Sequence, residues 1–151
     1  AHTVSVCFSK GLGAPIGSAL AGDAETIRRA HRLRKMWGGG MRQVGVIAAA
    51  ALWALDHHLE RLPDDHDKAR RLAAAVARCS GLRAVHSPET NILIFEPTGA
   101  DDTPRALVEE LQRQGVLVNI WDTRYVRMVT HLDISFDDIE RVTEILVRLR
   151  G

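Results

Sequence analysis

The chain has 151 residues, 46% of them apolar and 26% charged, with a formal net charge of +1. That composition is an ordinary globular one with room for a real core, and its balanced charge gives no reason to expect a nucleic acid or an acidic membrane surface as partner. No run approaches the ~18 apolar residues of a membrane span, and no basic, apolar leader is expected at the start.

The residues Thr3 to Phe8 are rich in β-branched types and read as a buried strand. Ser9-Lys10-Gly11-Leu12-Gly13-Ala14-Pro15-Ile16-Gly17 follows, too rich in Gly and Pro for a helix, and reads as a tight backbone-exposed loop. Ile16 to Ala21 returns as a second strand. Asp23 is an N-cap for a helix over 24–34, with Glu25 early and arginines late, the order that suits a helix dipole. Gly38-Gly39-Gly40 breaks that helix. From Met41 to Leu62 the pattern predicts one long helix, buried in its apolar first half. Asp64-Asp65-His66-Asp67 reads as an N-capping cluster for an amphipathic helix over 65–79. Strands are expected over 82–86, 91–96, 116–120 and 125–130. Thr103-Pro104 opens a helix that ends at Gly115, and the Ser135 to Asp138 capping box opens the last. From residue 64 the order is α-β-β-α-β-β-α, which is a compact α/β lobe. The first strand lies so near residue 1 that neighbours are expected elsewhere, so the chain reads as a portion of a larger protein.

The chemistry centres on Lys10. A lysine after a strand, in a glycine-rich loop, can be a solvated surface group, a phosphate ligand or a Schiff-base nucleophile. The phosphate-loop pattern places glycines before its lysine, whereas here they come after it, so that reading is poor. The other two stay open on these residues alone. Cys7 and Cys79 fit no metal or redox spacing and read as free thiols of a reducing compartment, hence a cytoplasmic location. His57-His58 does not face one site on a helix, so no metal is expected there. His131 reads as a structural hydrogen-bonding group.

Three blocks add a resemblance. Ser5 to Ser18 is similar to the cofactor-lysine segment of low-specificity L-threonine aldolases, in the aspartate-aminotransferase-like superfamily of fold-type I pyridoxal-phosphate enzymes. Arg32-Leu33-Arg34-Lys35-Met36-Trp37-Gly38-Gly39-Gly40-Met41-Arg42-Gln43 resembles the next signature. Val126-Arg127-Met128-Val129-Thr130-His131-Leu132-Asp133-Ile134-Ser135 resembles the third. The resemblance covers the whole chain but only the C-terminal portion of the family's polypeptide. It implies an α/β fold in which residues 1–62 are a remnant of the large cofactor-binding domain with the interdomain helix. Residues 63–151 are the small C-terminal α/β domain.

Carried onto this sequence, the resemblance implies that Lys10 binds pyridoxal 5'-phosphate covalently and is catalytic. Ser9 and Arg42 would contact the cofactor, Arg42 across a subunit interface. Arg127 would bind the substrate carboxylate, and Lys35 would lie near the substrate. No metal is implied. The implied reaction is retro-aldol cleavage of threonine-like amino acids to glycine and an aldehyde, in a homodimer or homotetramer. The alternatives are a β-eliminating lyase of the same kind, or a non-catalytic assembly module built on the fold. The family's cofactor-stacking histidine and its aspartate at the pyridine nitrogen have no counterpart in these residues, so little turnover is expected of the 151-residue polypeptide alone.

Overall fold

The computed structural model describes all 151 residues, which divide into two compact units, Ala1–Leu62 and Pro63–Gly151. In the first, strands β1 (Thr3–Cys7) and β2 (Ser18–Gly22) pair antiparallel, Thr3 opposite Gly22 and Cys7 opposite Ser18. The expected burial of β1 is not found, for Val4 and Val6 are exposed. A two-stranded ribbon cannot close over a core of its own. Helix α1 (Ala24–Met36) starts at Asp23, whose carboxylate accepts from the Thr26 amide at 2.8 Å.

The next helix corrects the sequence reading. Helix α2 spans only Gly45–His58, and Met41 to Val44 lie outside it. Gln43 takes a positive φ of 51°, which no α-helix accommodates. Nor is its apolar half buried: only Ala51 and Ala54 are, while Val46 is 83% exposed and Leu52 62%.

The second unit is one four-stranded antiparallel sheet with helices on one face. Helix α3 (Leu62–Ala77) leads to β3 (Leu82–Ala84) and β4 (Ile92–Pro97), then α4 (Pro104–Arg113), β5 (Asn119–Ile120), β6 (Val126–Val129) and α5 (Phe136–Arg150). Strand order is β3-β4-β6-β5. The side chains of Leu93, Phe95, Val126 and Met128 join Leu72 and Val76 of α3, Leu107 and Leu111 of α4, and Ile139, Ile145 and Leu146 of α5 in one core. By the period of two, Ile92, Ile94, Glu96, Arg127 and Val129 point to the other face.

Local differences have local causes. Helix α3 begins at Leu62 because Pro63 falls in its first turn, where a missing N–H costs nothing. Asp65 is therefore not a cap. It is buried inside the helix, 3.3 Å from the ammonium of Lys68. The strand expected over 116–120 shrinks to Asn119–Ile120, because the Val116 amide donates to the Leu111 carbonyl and closes α4 over Gly115, at φ 81°. The capping box at α5 forms as expected: the Asp138 amide donates to Ser135 Oγ, and the Ser135 amide to the Asp138 carboxylate. His131 Nδ1 accepts from the Asp133 amide at 3.3 Å, a local turn bond. No helix is long and apolar enough to cross a membrane.

Candidate active site

Lys10 stands in a turn tied to itself by its backbone. The Gly13 amide donates to the Lys10 carbonyl (2.8 Å), Ala14 to Phe8 (2.9 Å) and Phe8 to Gly17 (2.9 Å). Gly13 at φ 70° and Gly17 at φ 119° supply conformations that L side chains rarely adopt. Leu12 and Ala14 point into a small cluster with Ala54, against which Phe8, Leu55 and Leu62 pack. From the end of α2, His58 Nδ1 donates to the Leu12 carbonyl at 2.6 Å; a carbonyl only accepts, so the proton sits on Nδ1. Arg61 donates to the Gly11 carbonyl at 3.4 Å. The loop is thus anchored by its apolar residues and its carbonyls, and the Lys10 side chain is left exposed, paired with no carboxylate.

Ser9 lies beside it, its Oγ 3.2 Å from Cys7 Sγ. Hydrogen bonds from the Ser9 side chain and then its amide hold the Cys7 thiol below its ordinary value against the opposing effect of desolvation, and the Lys10 charge adds least.

Lys35 and Arg42 are brought together by the triple glycine. Helix α1 ends in a Schellman motif: the Gly38 amide donates to Lys35 and the Gly39 amide to Arg34, with Gly38 at φ 82°. A Cβ on Gly39 would lie 2.6 Å from Arg34 Cγ and 3.0 Å from the Arg34 carbonyl oxygen, so the chain turns back where only glycine fits. Lys35 and Arg42 then line one shallow concavity of about 630 Å³ with His31, Arg32 and Arg34. No carboxylate lines it, so its donor chemistry suits an anion.

Arg127 belongs to the second unit, on β6, paired in register with Ile94 of β4 and Asn119 of β5. Its guanidinium carbon lies 5.1 Å from the centre of the Trp121 ring, and its Nε is buried without a hydrogen-bond partner. On the same sheet face Glu96 is claimed twice. Arg83 donates to Oε1 from Nε at 2.9 Å, and Arg124 donates to Oε2 at 3.0 Å. Those bonds, Arg83 first, keep the Glu96 carboxyl below its usual range.

A family model described as Beta-eliminating lyase matches residues 1–98. The chain belongs to the beta-eliminating lyase family. Its relatives in this family include the Arabidopsis thaliana protein named "Probable low-specificity L-threonine aldolase 2", 45% identical over 94% of this chain and 41% of that one. The low specificity L-threonine aldolase of Escherichia coli K12 is 42% identical over 91% of this chain and 40% of its own. The chain thus spans about two fifths of the length of these relatives. A Listeria monocytogenes structure assigned as an L-allo-threonine aldolase superposes with a TM-score of 0.75 over 97% of this chain and 44% of that one, at 21% identity. The fold is therefore that of the fold-type I pyridoxal-phosphate enzymes.

The donor set suits that cofactor in kind. An exposed primary amine without an acidic partner is what an aldehyde requires, and a hollow lined by arginines and a lysine and an unpartnered guanidinium Nε suit phosphate and carboxylate. Sequence reasoning missed four residues around this machinery. His58 read only as the polar end of a helix, yet it holds the Lys10 loop across 46 positions. Trp121, Arg124 and Glu96 went unnoticed, although strand alternation puts Glu96 on the face of Arg127.

Proposed function

We propose that this protein cleaves β-hydroxy-α-amino acids, L-threonine and L-allo-threonine foremost, to glycine and an aldehyde, with pyridoxal 5'-phosphate as cofactor. The observation that carries this reading is the 42–45% identity to low-specificity L-threonine aldolases over more than nine tenths of the chain. Bound pyridoxal phosphate would supply the electron sink for breaking the Cα–Cβ bond. The chain's own residues do the rest. Lys10 offers the amine that holds the cofactor, and its braced turn fixes where that amine stands. Ser9 and the anion-suited hollow at Arg42 serve the phosphate end. Arg127 takes the substrate carboxylate on a planar fork, which orients the bond to be broken, and Lys35 adds positive charge near the substrate. The same reading makes the residues 1–62 part of a cofactor-binding domain and 63–151 a small C-terminal domain. It also makes the protein a cytoplasmic homodimer or homotetramer.

The description of the matching family favours a second reading, β-elimination. Products separate the two. Aldol cleavage yields an aldehyde and glycine, and elimination yields a keto acid and ammonia. In a cofactor-loaded protein that joins this chain to the rest of the family's site, L-threonine is expected to give acetaldehyde. The Lys10→Ala variant should lose both turnover and the visible band of the lysine-bound cofactor at about 420 nm. Ammonia in place of acetaldehyde would overturn the aldolase reading, and a band that survives in Lys10→Ala would overturn the role of Lys10.

A further inference from the structure

The guanidinium of Arg127 is unusually exposed to a competitor. Glu96 lies two residues along β4 from Ile94, the register partner of Arg127, on the same face. That diagonal spacing is about 7–8 Å between backbones, within reach of long side chains. An arginine and a glutamate so placed would ordinarily pair, and a paired arginine would have to give up its partner to take a substrate carboxylate. Here the pairing does not occur. Both Glu96 oxygens are occupied by Arg83 and Arg124, and Arg127 keeps a buried Nε without an acceptor while its guanidinium carbon lies over the Trp121 ring.

Arg83 holds its oxygen from β3, and the other two residues that enforce this come from one turn. Trp121 and Arg124 belong to the connection between β5 and β6, closed by the Trp121 amide donating to the Tyr125 carbonyl at 2.8 Å. Asp122 stiffens it by accepting from the amides of Arg124 (2.7 Å) and Tyr125 (3.2 Å). We infer that Trp121 and Arg124 are positioning residues for carboxylate recognition: Arg124, together with Arg83, keeps Glu96 away from Arg127, and Trp121 holds the freed guanidinium in place. This rests on the reading of Arg127 as the carboxylate-binding residue. Neither side chain need touch the substrate.

The test is a glycine titration of the protein by calorimetry, with the Arg127 Nε–H resonance, identified by its loss in Arg127→Lys, as a second readout in the variants that keep the arginine. Trp121→Ala is expected to weaken glycine binding about fivefold, and Trp121→Phe, which keeps an aromatic face, to restore most of it. Arg124→Ala is expected to weaken it by about the same factor, because Glu96 then competes. The double variant Arg124→Ala/Glu96→Gln should recover the native affinity although it lacks two of the charges on that face, a rescue that a merely structural role for Arg124 would not give. Native-like affinity in Trp121→Ala and Arg124→Ala, with binding lost in Arg127→Lys, would overturn the inference and leave Arg127 as the carboxylate residue. Failure of the Glu96→Gln rescue would overturn the competition argument. Unchanged binding in Arg127→Lys would overturn both readings.

Discussion

Cys7 and Lys10 flank Ser9 in one short turn, and their chemistry can be separated by reactivity. The Cys7 thiol is held below its ordinary value by Ser9, whereas burial raises that of Cys79. The thiolate is the nucleophile, so Cys7 gains it at lower pH. Alkylation with iodoacetamide, mapped by peptide mass, should label Cys7 well before Cys79, with a half-maximal rate at a pH below that of a free thiol. Ser9→Ala should move that midpoint upward and slow labelling at neutral pH. Equal rates for the two cysteines would refute the turn geometry. His58 acts on the same turn from outside it. His58→Ala is expected to cost about 1 kcal/mol, the size of one hydrogen bond, and to speed exchange of the Gly13 and Ala14 amides. Lys10 itself was legible in the sequence because a glycine pattern marks the loop locally. His58, Glu96 and Trp121 were not. The partners of His58 and Glu96 lie tens of residues away, and that of Trp121 across the turn between β5 and β6, so only the strand register and the helix end bring them close.

The elements were legible in kind but less so in their limits, and the limits carry meaning. The end of α1 is encoded locally: Gly38 supplies the positive φ, and Gly39 the space against Arg34. Gly39→Ala should therefore destabilise the first unit by about 1 kcal/mol or more, read by urea denaturation, and should open the hollow shared by Lys35 and Arg42. By contrast the apolar run from Val44 to Leu55 misled, because composition alone says helix and says nothing of what covers it; Val46, Leu52 and Trp53 are exposed. The capping box of α5 read correctly since its two residues are three apart and need no tertiary help. Ser135→Ala should lower stability by about 1 kcal/mol at neutral pH. Part of that loss depends on pH. Bonds from Ser135 depress the Asp138 carboxyl below its reference of 3.8, so their stabilisation is complete above that value and is lost as pH falls through the lower folded value. The gap between native and Ser135→Ala should accordingly narrow in acid. A gap that widens below pH 3.8 would refute the linkage.

At the scale of the molecule the two units differ in what holds them. In Pro63–Gly151 the sheet and three helices enclose a continuous apolar core, with Leu93, Phe95, Val126 and Leu146 fully buried. In Ala1–Leu62 the buried cluster is Leu12, Ala14 and Ala54, while β1 and β2 leave both their valines and Leu20 exposed. Burial of apolar area dominates folding free energy, so local stability should follow that difference. Amide hydrogen exchange is expected to be slowest on β4, β6 and the inner faces of α3 and α5, and fastest on β1 and β2. Phe95→Ala removes the largest fully buried side chain and should cost the second unit about 3–5 kcal/mol. Its β4 and β6 amides should lose most of their protection in that variant. Exchange on β1 and β2, already limited by the ribbon's own opening, should stay where it was. Amides of Val4 or Val6 as protected as those of Leu93 and Phe95 would contradict this ordering, and would mean that the hairpin carrying Lys10 is held by something stronger than its two strands.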